Sequence, residues 1–70
     1  MTALPYRWYA PPDPAQRSHA FVEGKHRSVC TRERRDMAGV LWSTRNAQGA
    51  LRCWQCIRVV RLGRLAEVTV

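Results

Sequence analysis

The sequence predicts an α+β fold: a small zinc-stapled domain with two β-hairpins and a C-terminal helix. Three observations lead to this fold class. A chain of 70 residues is short enough that its core alone seldom supplies more than ~3–5 kcal/mol, so a disulfide, a metal or a partner is needed. Three cysteines and two histidines offer metal ligands. Short apolar runs separated by turn residues precede a longer amphipathic stretch.

The composition is that of a basic, folded protein. Apolar residues make up 46% of the chain, which argues against full disorder. The net charge is +7, and eleven of the twelve cationic side chains are arginine. Such a surface attracts nucleic acid, an anionic membrane or an acidic protein partner, and arginine suits bidentate contacts to phosphate or carboxylate. Arginine-rich composition is equally expected from a GC-rich genome, in which case the charge is only a solvated surface.

No targeting or membrane segment is expected. Prolines interrupt the first fourteen residues, and no apolar run approaches the ~18–20 residues of a membrane span. We therefore expect a cytoplasmic protein without membrane association. Structural disulfides are rare in a reducing cytosol, and three cysteines would leave one thiol over, so a metal site or a catalytic role is the better interpretation.

The first two segments are an arm and a hairpin. Residues 1–17, rich in proline and aromatic residues, are predicted to form an extended arm that lies on a zinc-binding domain, 18–70. Within 18–30, Gly24 can adopt a positive φ and close a tight hairpin. A two-residue loop at this point pairs His19 with Cys30 directly, so both side chains share one face of the hairpin.

A second hairpin is predicted next. Its strands are 38–43 and 50–56, its turn is 44–49, and a charged turn or short helix, 31–37, precedes it. Trp42 is expected to pack across this hairpin, near the middle of the core.

The remaining residues predict a helix from about Gln55 to Glu67. Spacing by three and four residues places an apolar stripe on one face and arginines on the other. The stripe is Val59, Leu62 and Ala66, and the arginines are Arg58, Arg61 and Arg64. β-Branched residues and a glycine weaken the helix, and the alternation of "AEVTV" leaves an extended end as the alternative.

The cysteines and histidines predict a zinc site. Cys53 and Cys56 form a CxxC pair, which is half of a tetrahedral site, and Cys30 supplies a third ligand. The hairpin register makes His19 the fourth ligand. In that register His26 lies about 13 Å along the strand from Cys30, too far to share an ion, although a helical turn at 26–30 would bring it within reach.

Two other interpretations of the cysteines remain open. A redox CxxC is expected at the start of a helix inside a βαβ unit, for which the chain is short. The thiols could also be inert and buried. Four protein ligands would close the zinc site, and no carboxylate stands in a recognisable catalytic pattern, so we expect no enzyme and no small-molecule substrate.

The pattern "SHAF…VC…LRCWQC" resembles a group of short actinobacterial zinc-finger proteins with one His and three Cys ligands. The resemblance covers residues 18–57 and implies zinc binding, with His19, Cys30, Cys53 and Cys56 at the ligand positions. That group often has a Gly directly after the second of these residues, where this chain has Thr31. The resemblance implies little about activity.

Two functions are compatible with such a domain. The first is nucleic-acid binding (DNA or RNA), in which arginines contact phosphates. The candidate residues are Arg32, Arg34 and Arg35 on the charged turn and Arg58, Arg61 and Arg64 on the helix. Trp54 would stack on a base if it is exposed, but a core position that shields the zinc thiolates is favoured. The arginines are equally expected on a merely solvated face.

The alternative is a protein–protein interaction adaptor or regulatory subunit. The aromatic residues Tyr6, Trp8 and Tyr9, or the apolar tail Val68–Val70, would then contact a partner or a second copy of the chain. Binding of nucleic acid should weaken steeply with salt, whereas an aromatic contact should not.

Overall fold

A three-stranded sheet with the first strand at its centre organises the chain. The computed structural model describes residues 3–68. Its elements are β1 (Leu4–Tyr9), β2 (His19–Val22), α1 (Thr44–Ala47), α2 (Trp54–Leu62) and β3 (Leu65–Glu67). The strand order is β2-β1-β3, with β1 antiparallel to β2 and parallel to β3. The predicted α+β class is confirmed, and the Cα radius of gyration of 11.1 Å matches the ~11 Å of a folded chain this long.

The segment predicted as an arm contains the central strand. β1 is extended, as expected, but it does not lie on a finished domain. It pairs Tyr9 with His19 on one side and Leu4 with Leu65 on the other. Tyr6 is buried, and Trp8 is only 8% exposed. The residues expected to contact a partner are therefore the main apolar mass of the core.

The first hairpin forms around Gly24 as predicted. Gly24 has φ 82°, and the Lys25 N–H donates to the Val22 carbonyl at 3.0 Å. The Val29 N–H donates to the Ala20 carbonyl at 2.8 Å, in the predicted register. The returning residues do not continue as a regular strand, because the chain turns at 28–33. This turn brings Cys30 back towards His19.

The turn after Cys30 depends on an unusual backbone conformation. Thr31 has φ 63°, in the left-handed region that favours glycine. Its N–H donates to the Ser28 carbonyl at 2.9 Å, and its own carbonyl accepts from Arg27 Nη1 at 3.0 Å. The position where the resembling group often has Gly is thus one that requires a positive φ.

Replacing Thr31 by glycine is expected to stabilise the zinc-loaded protein by roughly 0.5–1 kcal/mol. A side chain in the left-handed region costs about 1–2 kcal/mol, and the greater freedom of glycine in the unfolded chain takes back about half of the gain. Thermal unfolding measures the change. Thr44→Gly, in the first turn of α1, is the control and should destabilise. Destabilisation by Thr31→Gly would mean that the hydroxyl bond from Thr31 Oγ1 to the Cys30 carbonyl outweighs the strain.

The predicted second hairpin is wrong. Residues 38–43 form a loop, because the Asp36 carboxylate accepts the backbone N–H groups of Val40, Leu41 and Trp42 at 2.6, 3.1 and 2.7 Å. These hydrogen bonds lower the pKa of Asp36 against a small opposing effect of burial. The N–H groups that a strand ladder would use are therefore satisfied within the loop.

The predicted turn 44–49 begins with the short helix α1. The Ser43 hydroxyl caps it by accepting the Asn46 N–H at 3.1 Å. The predicted strand 50–56 is instead an extended link into α2. In this link the Ser18 N–H donates to the Leu51 carbonyl and the Cys53 N–H donates to the Ser18 carbonyl, both at 2.8 Å. The CxxC segment is thereby attached to the residue that precedes β2.

The C-terminal helix is shorter than predicted. α2 ends at Leu62, where the Gly63 N–H donates to the Val59 carbonyl at 2.7 Å. The chain then forms β3, so the extended alternative is confirmed for Leu65–Glu67. The predicted apolar stripe is wrong. Leu62 is 85% exposed, whereas Cys56, Ile57 and Val60 are the α2 residues in the core.

The sheet has an apolar cluster on each face. One face carries the core cluster Tyr6, Trp8, Ala20, Cys53 and Cys56. On the other, fully buried Phe21 contacts Tyr9 and Trp42 edge-on, at ring-centroid distances of 5.5 and 5.7 Å. Trp42 thus packs on the sheet rather than across a second hairpin. Between residues 3 and 68, no helix has the length and apolarity to cross a bilayer.

Candidate metal centre

Four side chains converge at the junction of the first hairpin and α2. They are His19, Cys30, Cys53 and Cys56, the four residues predicted as ligands. All their ligand atoms lie within 4.8 Å of one another. His19 Nδ1 is 3.5 Å from Cys30 Sγ and 3.6 Å from Cys56 Sγ. The cluster is thus arranged to hold a metal ion.

These distances fit a zinc tetrahedron. Zn–N bonds of ~2.0–2.1 Å and Zn–S bonds of ~2.3 Å place neighbouring N and S ligands about 3.6 Å apart and neighbouring S ligands about 3.8 Å apart. The two N···S distances match the first value. The ligand set, three thiolates and one imidazole, is one that zinc uses in structural sites.

Each ligand is positioned by its own local structure. His19 is the first residue of β2, and Cys30 lies in the 28–33 turn. Cys53 is the N-cap of α2 and Cys56 is in its first turn, where the positive end of the helix dipole favours thiolates. Because the link at Ser18 joins these segments, the hairpin and the helix meet with their ligands already close together.

The protein supports a thiolate at Cys30. Burial alone would raise the pKa of Cys30, but hydrogen bonds from the Ser28 hydroxyl and the Arg32 backbone N–H outweigh it, and the pKa lies below its usual value. Burial lowers the pKa of His19, against an opposing effect of Glu33, so its imidazole is neutral near pH 7 as a ligand must be.

Cys56 behaves differently. Burial raises its pKa to about 12, although a hydrogen bond from the Ala20 backbone opposes the shift. An ionised Cys56 in this position therefore needs a cation beside it, which a bound metal would supply. The three thiols form no disulfide.

Ser28 is a functional residue that the sequence analysis missed. Its side chain is 2% exposed, its Oγ lies 3.2 Å from Cys30 Sγ, and it accepts the Glu33 N–H at 3.2 Å. One hydroxyl thus orients the sulfur and closes the turn around it. A serine two residues before a predicted cysteine ligand was the available signal, since hydroxyls in turns commonly bond nearby groups.

Ser28→Ala is expected to weaken zinc binding about tenfold, because residues that orient metal ligands typically contribute 10–100-fold in affinity. Competition with a chromophoric chelator measures the change. Ser18→Ala is the matched control. It removes a fully buried hydroxyl that bonds the Leu51 carbonyl rather than a sulfur, so zinc affinity should stay within about threefold. An equal loss in both variants would show a general effect on the fold.

The structure keeps the second histidine away from the cluster. His26 is exposed, and it contributes only its backbone carbonyl, which accepts the Arg35 N–H at 2.8 Å. Residues 26–30 do not form the helical turn that would have brought His26 and Cys30 together. Of the two histidines considered, His19 is the one beside the thiols.

The six arginines proposed for nucleic-acid contact do not form one surface. Arg58 and Arg61 are exposed on α2, but Arg64 lies beyond the end of the helix, so the predicted ridge of three is wrong. Arg35 is only 8% exposed, and its guanidinium carbon lies 4.2 Å from the centroid of the Tyr9 ring. Arg32 and Arg34 are exposed. Arg35 is thus a packing residue rather than a phosphate contact.

Trp54 is exposed, contrary to the favoured core position. It is 56% exposed at the start of α2. Cys53 and Cys56 on either side of it point into the cluster, so Trp54 is directed outward. The thiolates are shielded instead by the core cluster and by half-buried Val29 and Ile57.

Comparison with known proteins adds no relative. No family model matches the chain, and neither a curated protein nor a solved structure matches it. The resemblance to short actinobacterial zinc-finger proteins therefore stays a prediction from the sequence.

Proposed function

We propose that the protein is a non-catalytic zinc domain that binds nucleic acid through a basic face beside the metal centre. Zinc fits the centre because one imidazole and three thiolates complete a tetrahedron. With all four positions taken by side chains, no position stays open for water or substrate, and the ion acts as a structural staple.

The observation that carries the nucleic-acid proposal is a group of exposed arginines around the Cys30 turn. This basic face consists of Arg27, Arg32, Arg58 and Arg61 with the exposed ring of Trp54. Arg27 bonds the Thr31 carbonyl, and Arg58 and Trp54 line the same surface cavity as Thr31 and Cys30. The arginines thus come from the turn and from α2, which the metal ligands hold together.

The charge balance of this face favours an anionic ligand. A centre with three thiolates, one imidazole and Zn²⁺ carries one net negative charge. Glu33, half-buried behind the turn, adds a second. Four guanidinium groups outnumber these charges, and guanidinium forms bidentate bonds with phosphate oxygens.

Replacing Arg58 and Arg61 together by glutamine is expected to reduce both affinity for DNA and its salt dependence. Each phosphate contact contributes about 0.9 to the slope of log K against log salt on duplex DNA and about 0.7 on single strands. Loss of two contacts should lower the slope by about 1.4–1.8. Fluorescence anisotropy of labelled oligonucleotides between 50 and 200 mM salt measures both quantities.

A charge-matched variant is the control. Arg17→Gln with Arg45→Gln removes two exposed arginines that lie on other segments, so it should change the slope little. Equal weakening by both double variants would reduce the proposal to a non-specific effect of net charge. Absence of binding to duplex and to single strands at low salt would refute it.

A second candidate function is a protein adaptor, which one observation favours. The loop ordered by Asp36 presents three apolar side chains, Met37, Val40 and Leu41, that are 55–79% exposed. A preformed apolar loop fits an apolar pocket on another protein. Such a complex should persist at 0.5 M salt and be lost in Leu41→Asp with zinc retained, whereas nucleic-acid complexes should dissociate at that salt.

A further inference from the structure

The direction of the Trp54 ring is not explained by packing. Trp8 donates its Nε1–H to Glu67 at 2.8 Å from within the core, and Trp42 packs on Phe21. Trp54 is 56% exposed instead. A large apolar ring held in solvent by a rigid element is an unusual use of tryptophan in a small domain.

The surroundings of the ring form a small site with one cationic wall. A cavity of about 320 Å³ lies between the Cys30 turn and α2. Its apolar walls include Val29, Val59 and Leu62, and the Trp54 ring and Arg58 face it. The Arg58 guanidinium carbon lies 5.6 Å from the centroid of the Trp54 ring. This volume is at the small end of the roughly 300–1,000 Å³ of ligand sites and suits one planar group.

Indole and guanidinium planes beside an apolar cavity are the groups on which unpaired bases stack. We propose that Trp54 stacks on an unpaired base while Arg58 contacts the adjoining phosphate, so that the preferred ligand is single-stranded nucleic acid. This inference rests on the proposed function, because the other arginines of the basic face supply the remaining phosphate contacts. Bases of an intact duplex are already stacked on each other and cannot enter the cavity.

The experiment is a two-by-two comparison that isolates the contact between ring and base. Wild-type protein and Trp54→Leu are each titrated against a twelve-nucleotide oligo(dT) and against an abasic oligomer of the same length, with zinc content checked in both proteins. The abasic strand keeps the phosphates and lacks the bases. Trp54→Phe retains an aromatic face and serves as the conservative variant.

Wild-type affinity should fall about tenfold from oligo(dT) to the abasic strand, a change typical of one base–aromatic stack. Trp54→Leu should bind both strands with the weaker affinity, and Trp54→Phe should recover most of the difference. The salt slope should be equal in wild type and Trp54→Leu, because stacking releases no counterions.

Three results would overturn the inference. Equal affinity of Trp54→Leu and wild type for oligo(dT), with the loss in the Arg58 and Arg61 variant intact, would refute stacking and leave phosphate binding standing. Preference of the wild-type protein for duplex would do the same. No binding of any strand at low salt would refute both proposals, and the exposed ring would then be a surface for an apolar group of a protein partner.

Discussion

Removal of zinc is expected to unfold the protein cooperatively. Structural zinc sites bind with an apparent ~10–16 kcal/mol at pH 7, which exceeds the whole net stability of most domains of this size. Cys53 and Cys56 belong to the core cluster, so loss of the ion leaves three thiols and one imidazole facing each other without a shared partner. Native mass spectrometry should find one zinc per chain, and chelation should abolish far-UV circular dichroism. A metal-free protein that stays cooperatively folded would refute the structural role.

Variants of the two histidines identify the fourth ligand. His19→Ala should lose zinc and unfold, whereas His19→Cys should keep a tetrahedral site, now with four thiolates. His26→Ala should keep zinc, because that side chain is exposed and outside the cluster. Cobalt substitution reports the ligand set, since absorption bands of tetrahedral Co²⁺ change when nitrogen is replaced by sulfur. Loss of metal in His26→Ala would refute the assignment of His19.

The ligand set was predictable because its geometry is local. His19 and Cys30 are brought together by one tight turn, and Gly24 marks that turn in the sequence. Cys53 and Cys56 define their own spacing. No long-range information was needed to choose the four residues. The missed contribution of Ser28 depends on the 28–33 turn, whose closure requires a positive φ at Thr31, and local propensity would not place a threonine there.

The sheet was not predictable in the same way. β1 pairs in parallel with β3, and the register joins Leu4 to Leu65. No local pattern reports a pairing across sixty residues, so the first strand was taken for an arm. The second hairpin failed for a different reason. Alternating apolar residues at 38–43 favoured a strand, but Asp36 competed successfully for their backbone N–H groups. An Asp ahead of a Gly-containing run, and a Ser three residues before Asn46, were signals of this outcome.

Acid is expected to release zinc and unfold the protein in one steep transition, at about pH 5–6. Zinc requires all four ligands deprotonated, whereas in the unfolded chain the thiols have a pKa of about 8.5 and the imidazole about 6.5. The unfolded state therefore binds more protons, so stability falls as pH falls. The lowered pKa of His19 in the fold acts in the same direction, since its neutral form is favoured and that contribution is lost below the unfolded value.

Proton counting makes this transition diagnostic. Each zinc displaces about three protons between pH 6.5 and 8.5 and about four below pH 6.5, so the apparent affinity should fall about 10⁴-fold per pH unit in acid. A tenfold increase in free zinc should accordingly lower the midpoint by about 0.25 pH unit. Circular dichroism and a zinc-sensitive dye, recorded on the same titration, should give coincident curves. A midpoint that does not move with zinc would show that acid unfolds the protein through its carboxylates, with Asp36 the first to examine, and that the metal centre is not what holds the fold together.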